Sequence, residues 1–217
     1  MIQDAPIVEV DIVSDVMCPW CIIGYRQLEA ALARTAFGMR VRWHPFELNP
    51  GMPPEGQNLG AHIAEKYGAT PAQSAQTRAQ MTALGAQLGF DFRFSEDSRI
   101  VNTFAAHQLL ELALAEGKQH PLKMALFTAH FTQSADVSDP AVLIAVAAEV
   151  GMDPKAAETA LSSGALARSV RDKQAFWAER GITGVPSMIF GGRYLVTGAQ
   201  GIDTYEQLLR RIAADAA

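Results

Sequence analysis

At 217 residues and 49% hydrophobic, the chain can bury one large core, or a small domain with a substantial insertion, without metal or structural disulfides. A formal charge of -5 with no dense Lys/Arg block argues against a nucleic-acid partner. The longest apolar run, Val142 to Val150, contains Glu149 and is shorter than the ~20 residues of a membrane span, so it reads as a core helix and no span is expected.

Met1 to Pro6 has neither the positive segment nor the apolar segment of a secretory signal, which makes the cytoplasm the expected compartment. Ile7 to Val13 alternates and is rich in Val and Ile, a strand pattern, and a helix follows from about Pro19 to Ala33 with Leu28, Ala31 and Leu32 on its apolar face. Met39 to Phe46 alternates again. This β-α-β opening makes a parallel pair by the handedness rule. Pro45, Pro50, Pro53 and Pro54 then end regular structure.

From about Asn58 to Gly181 the pattern is helical. Asn58, Thr70-Pro71 and Asn102 stand at expected helix starts. Leu122, Ala125, Leu126 and Ala129 share the i, i+3, i+4, i+7 spacing with Leu143, Val146, Ala147 and Val150. After Gly181, Ser187 to Phe190, a Gly191-Gly192 turn and Arg193 to Val196 read as a hairpin. Asp203 with Glu206 resembles a capping box for a last helix. The expected fold class is α/β: β-α-β plus β-β-α from residues 6–50 and 182–217, with an all-helical domain, 51–181, inserted between the halves.

The two cysteines of the chain lie in Cys18-Pro19-Trp20-Cys21, where the first strand gives way to the first helix. That spacing after a strand is the sequence form of a thioredoxin-like redox motif, since one helical turn brings two sulfurs within bonding reach. If Pro19 opens the helix, free N–H groups and the positive end of the dipole favour a thiolate at Cys18, making it the nucleophile and Cys21 the resolving partner. Lowering a thiol pKa from about 8.5 to about 6.5 raises its thiolate fraction roughly 25-fold at neutral pH. Intrinsic nucleophilicity falls roughly 8-fold, leaving a gain of about 3-fold. Pro19 and Trp20 therefore tune direction more than speed.

Gly184-Val185-Pro186 precedes the third strand. An X–Pro bond alone is cis only about 6% of the time, but a thioredoxin-like context favours cis, which would set Pro186 against the Cys pair and leave the Val185 backbone free to pair with an extended substrate. The competing reading of the cysteines is half a zinc site. It lacks a matching His pair among His44, His62, His107, His120 and His130, so no metal is expected. Asp15, Glu47 and His107 are candidate modulators of Cys18, although surface carboxylates are common and a lone helical histidine is ordinarily a satisfied side chain.

Ser14 to Cys21, Phe46-Glu47-Leu48-Asn49-Pro50, Asn102-Thr103 with Ala106-His107, Gly184-Val185-Pro186 and Gly198-Ala199-Gln200 together resemble the DsbA-like thioredoxin-fold oxidoreductases, specifically their FrnE-like branch, over nearly the whole chain. The resemblance implies a thioredoxin fold interrupted by helices and protein disulfide oxidoreductase activity carried by Cys18 and Cys21. It also implies that the Pro186 loop binds substrate. Periplasmic members carry His between the cysteines, where this chain has Trp20. The architecture is shared by 2-hydroxychromene-2-carboxylate isomerases and kappa-class glutathione transferases, which typically have Ser at the position of Cys18. A glutathione-dependent isomerase or transferase is therefore the alternative reading. Expected partners are protein or small-thiol substrates and a separate redox-recycling partner. No resident cofactor is expected, and glutathione is a candidate co-substrate.

Overall fold

The computed structural model describes residues 7–35 and 37–216. The expected start of the α/β part at residue 6 and the reading of Met1 to Pro6 lie outside the described residues. Strand β1 (Ile7–Ser14) leads to helix α1 (Pro19–Ala33) and strand β2 (Gly38–Pro45). The middle of the chain holds β3 (Gln57–Asn58), α2 (Leu59–Tyr67), α3 (Pro71–Gln87), β4 (Arg99–Ile100), α4 (Phe104–Ala115), α5 (Gln119–Phe131), α6 (Pro140–Glu149), α7 (Pro154–Ser163) and α8 (Ala167–Glu179). Strands β5 (Ser187–Phe190) and β6 (Tyr194–Thr197) and helix α9 (Ile202–Ala216) complete it.

The sheet runs β2-β1-β5-β6. β1 and β2 are parallel, from Ile7 opposite Gly38 to Ser14 opposite Pro45, whereas β5 is antiparallel to both β1 and β6. Val8, Val10 and Ile12 point into the core while Glu9 points outward to Arg40, which is the alternation that defined the strand. α1 and α9 pack on one another, burying Leu28, Tyr205 and Leu209 completely. Each such apolar side chain contributes roughly 1.5–3 kcal/mol.

Two hydrophobic clusters form the core. One joins the sheet and α1 to Met81, Phe90, Phe92, Phe127 and Phe131 from the middle of the chain. The other joins α4, α5 and α6 to Val16 and Met17 from the loop after β1. Each cluster draws on both the sheet-forming and the helical stretches. α5 belongs to both: Leu122, Leu126 and Ala129 face the helices, and Phe127 and Phe131 face the sheet's cluster. The Gln119 side chain also completes edge strand β2, accepting from Trp43 N at 2.9 Å and donating to Trp43 O at 2.9 Å. A side-chain amide thus does what a further strand would do.

The helix starts follow the sequence with two corrections. Asn58 caps α2 by accepting from Ala61 N, and Thr70 forms a capping box with Gln73. At α4 the cap position is Thr103, and Asn102 instead accepts from Phe104 N at 2.9 Å. There is no Asp203/Glu206 box: α9 begins at Ile202, ahead of the expected cap, so Asp203 lies in its first turn and pairs with Arg34. The two-residue ladder of β3 and β4 is too short to carry any alternation, and periodicity does not reveal it.

Gly85 of α3 faces Phe92, and a Cβ there would lie 2.5 Å from its ring and 2.7 Å from the Phe90 carbonyl. Gly85→Ala is therefore expected to cost about 1–3 kcal/mol, read as a lower denaturant midpoint with an unchanged slope.

Candidate functional site

β1 ends inside the protein, and every residue from Ile12 to Cys18 is buried. The chain must then satisfy its polar groups locally. Asp15 O accepts from Cys18 N at 3.2 Å, Asp15 Oδ1 accepts from Met17 N at 3.3 Å, and Asp15 Oδ2 accepts from Leu48 N at 2.7 Å. This turn delivers Cys18 to the cap position of α1, with Pro19 opening the helix and Cys21 N donating to Cys18 O at 3.0 Å.

Both cysteines are free thiols. Cys18 is 4% exposed and Cys21 is completely buried, so a substrate reaches Cys18 first. The Cys18 thiol donates to the Val185 carbonyl at 3.7 Å. The Val185–Pro186 peptide is cis. Pro186 is buried, its carbonyl accepts from Gly198 N at 2.7 Å, and its ring lies where a Cβ on Gly24 of α1 would come within 3.3 Å. A glycine at that point of the helix lets the loop pack closely on α1.

A groove of about 650 Å³ opens beside Cys18, a size that suits a small ligand or a few residues of peptide. Met17, Pro19, Trp20 and Val185 form one wall. α2, α3, the segment from Arg93 to Val101 and the end of α5 form the other, with Tyr67, Met81, Phe94 and Phe131 among Arg78, Arg93 and Asp97. Trp20 stands 41% exposed at its mouth.

The three candidate modulators part company. Asp15 and His107 are brought together beneath Cys18, with His107 Nε2 3.5 Å from Asp15 Oδ1. That nitrogen donates to the Phe46 carbonyl at 2.9 Å, so His107 is a satisfied core side chain. Glu47 turns away to Arg171 and Gln174 of α8. Neither carboxylate is on the surface, as their residue type suggested: Asp15 is 1% and Glu47 8% exposed. Burial alone would raise the Asp15 pKa, but the neighbouring His107, the Leu48 N–H and the charge of Lys123 hold it below its ordinary value.

The neighbouring Cys21 sulfur, then burial, push the Cys18 pKa well up. For Cys21, burial opposes ionisation but is outweighed by the neighbouring Cys18 thiol, the charge of Lys123 and the hydroxyl of Ser14, and its pKa is lowered. The spacing of the motif did not single out Ser14 or Lys123. Lys123 precedes Phe127 by one helical turn on a helix buried on two sides, and that position carried the available signal.

A β-α-β and β-β-α sheet, a Cys pair at the first helix start and a cis-proline loop against it define a thioredoxin-like α/β protein of the DsbA type. Residues 9–210 match the DSBA-like thioredoxin domain family, and the chain belongs to that family. It superposes with a TM-score of 0.89 on a probable DsbA oxidoreductase from Streptomyces coelicolor, which is 31% identical over 94% of this chain and 89% of that one. An uncharacterized protein, YwbO, of Bacillus subtilis is 27% identical over 93% of this chain and 96% of its own. A 2-hydroxychromene-2-carboxylate isomerase shares the fold at 19% identity and a TM-score of 0.67, over 96% of this chain and 99% of that one. No helix among the described residues is long and apolar enough to cross a membrane.

Asp15→Asn retains one acceptor oxygen where two N–H groups need one each, so a loss of about 1–3 kcal/mol is expected at neutral pH. Because folding lowers the Asp15 pKa, its contribution is complete above the unfolded value of about 3.9 and is lost as pH falls through the lower folded value. Denaturant titrations across the acid range should show wild type and variant converging below about pH 4, and a gap independent of pH would refute this role.

Proposed function

We propose that this protein is a thiol-disulfide oxidoreductase that exchanges the Cys18-Cys21 dithiol or disulfide with protein or small-thiol substrates through a mixed disulfide at Cys18. The observation that carries the reading is the order of access: Cys18 borders the groove and faces Val185, while Cys21 lies wholly buried behind it. A nucleophile must meet substrate, and a resolving thiol needs to meet only the first sulfur.

In the reducing direction, Cys18 Sγ attacks one sulfur of a substrate disulfide and the other leaves as a thiolate. The Cys18 proton passes to that leaving thiolate. As Cys21 attacks Cys18 Sγ, the Cys18–substrate bond breaks and the second substrate sulfur departs with the Cys21 proton. Two electrons move from protein to substrate and one new disulfide joins Cys18 to Cys21. The oxidising direction is the reverse. The Val185 and Pro186 stretch, preceding the paired residues of β5, would hold an extended substrate segment by strand addition, with Pro19 and Trp20 forming the adjacent wall.

Cys18→Ser is expected to reduce insulin-disulfide reduction and scrambled-protein refolding to background, while Cys21→Ser accumulates a covalent adduct at Cys18 that dithiothreitol removes, detectable by mass spectrometry. Full activity in Cys18→Ser would reject the proposal. Undiminished turnover in Cys21→Ser, dependent on glutathione, would instead favour the isomerase or transferase chemistry, which needs a single sulfur.

A further inference from the structure

Gly198-Ala199-Gln200 has no part in the exchange chemistry, yet the loop that faces Cys18 hangs from it. The β5 and β6 ladder pairs Ser187 with Thr197, and Gly198 N carries it one rung further by donating to Pro186 O at 2.7 Å. Gly198 then turns the chain off the ladder with φ +80°, a left-handed conformation that glycine takes without strain. On the other side of the loop, Ser187 Oγ donates to Gly184 O at 2.8 Å. The carbonyls of Gly184 and Pro186 are thus occupied. Between them, the half-buried Val185 keeps its N–H unpaired among the described residues, and its carbonyl accepts from the Cys18 thiol at 3.7 Å.

Two buried side chains hold this support in turn. Tyr205 of α9 is completely buried, its ring 6.3 Å from that of Phe190 in β5, and its hydroxyl donates to Gly198 O at 3.1 Å. Gln27 of α1 is 7% exposed, and its Oε1 accepts from Gly201 N at 2.9 Å. Between these two bonds Ala199 packs on α1, where a Cβ on Gly24 would lie 3.5 Å from its Cα. Cys21, Gly24 and Gln27 succeed one another at three-residue steps along α1, each a neighbour of the next on the helix surface. Cys18 caps the same helix. The loop is therefore referred to the element that carries the reacting sulfur.

We propose that Tyr205, together with Gln27, is a positioning residue for peptide substrates: through Gly198 it fixes the height of the Val185 backbone over Cys18, and so favours disulfides that lie within an extended polypeptide. The inference rests on the disulfide-exchange reading above. A carbonyl of the substrate segment accepts from Val185 N–H, and this strand addition brings the substrate sulfur to Cys18 Sγ. Cys18 Sγ bonds to that sulfur, the S–S bond of the substrate breaks, and the other sulfur leaves as a thiolate that takes up the Cys18 proton. Tyr205 and Gln27 exchange neither proton nor electron. They act by ordering the loop before the encounter, so that binding loses less conformational entropy. A small disulfide without a peptide group gains nothing from that order.

The test is single-turnover oxidation of the reduced protein by two disulfides of the same chemistry. One is an extended peptide whose central cysteine is capped as its mercaptoethanol disulfide, and the other is hydroxyethyl disulfide alone. In Tyr205→Phe the half-saturation concentration for the peptide is expected to rise about three- to tenfold, the loss of one hydrogen bond to a buried carbonyl. The saturating rate should stay within about twofold of wild type, the pattern of lost uniform binding. The rate with hydroxyethyl disulfide should also stay within about twofold, since that reagent does not use Val185. An unchanged half-saturation concentration in folded Tyr205→Phe, or an equal loss with both disulfides, overturns the proposal. So does a wild type with no advantage for the peptide. If Tyr205→Phe does not fold, Gln27→Met decides: it keeps the side-chain length, removes the acceptor of Gly201 N and must show the same split between the two disulfides. Wild type that reacts with neither disulfide would instead defeat the exchange reading itself.

Discussion

The Asp15 carboxylate is the tie on which the geometry around the two sulfurs depends. Its oxygens hold Met17 N in its own turn and Leu48 N beyond β2, and the side chain lies against His107 of α4. Three separate stretches of chain are thereby fixed to one buried anion. Burying a carboxylate is costly unless its lone pairs are filled, and the dense set of donors meets that requirement. The same donors fix the backbone that presents Cys18, whose own N–H is held by the Asp15 carbonyl. Electrostatic satisfaction and positioning of the thiol are one requirement here.

The second constraint is the double burial of α5. A helix with one apolar stripe meets one core, but this one presents Leu122 and Leu126 to the helices and Phe127 and Phe131 to the sheet's cluster. Gln119 at its start pairs with both backbone groups of Trp43, and the Trp43 indole donates to His120 Nδ1 at 3.1 Å. The helical stretch therefore joins the sheet through its hydrogen-bond ladder as well as by packing. Lys123 on this helix is buried, and the length that elsewhere lets Lys snorkel to water here carries its ammonium to the Ser14 carbonyl at the end of β1.

Much of the architecture was legible because it rests on local periodicity. Val8, Val10 and Ile12 marked β1, the Cys18-Pro19 step marked the start of α1, and the Gly191-Gly192 pair marked the hairpin. What escaped reading depends on encounters between distant residues. Asp15 and Glu47 looked alike as acids near a motif, yet one lies beneath the cysteines and the other is drawn away by Arg171 on α8. The partners of Cys21 come from β1 and from α5, about a hundred residues on in sequence, and no spacing within the motif encodes them.

β5 lies beside β1 with Val10 opposite Phe190, so the chain's first strand finds its central neighbour almost at the end of the sequence. Vectorial synthesis gives this topology a consequence. The β1-α1-β2 segment leaves the ribosome with Cys18 and Cys21 already present, but Val185, Pro186 and the covering helices follow much later, at about 5–20 residues per second. For several seconds the two thiols belong to a nascent chain without the walls that will govern them, open to oxidants and to one another. The finished protein handles disulfides only after its own cysteines have passed through an interval in which nothing in the fold protects them.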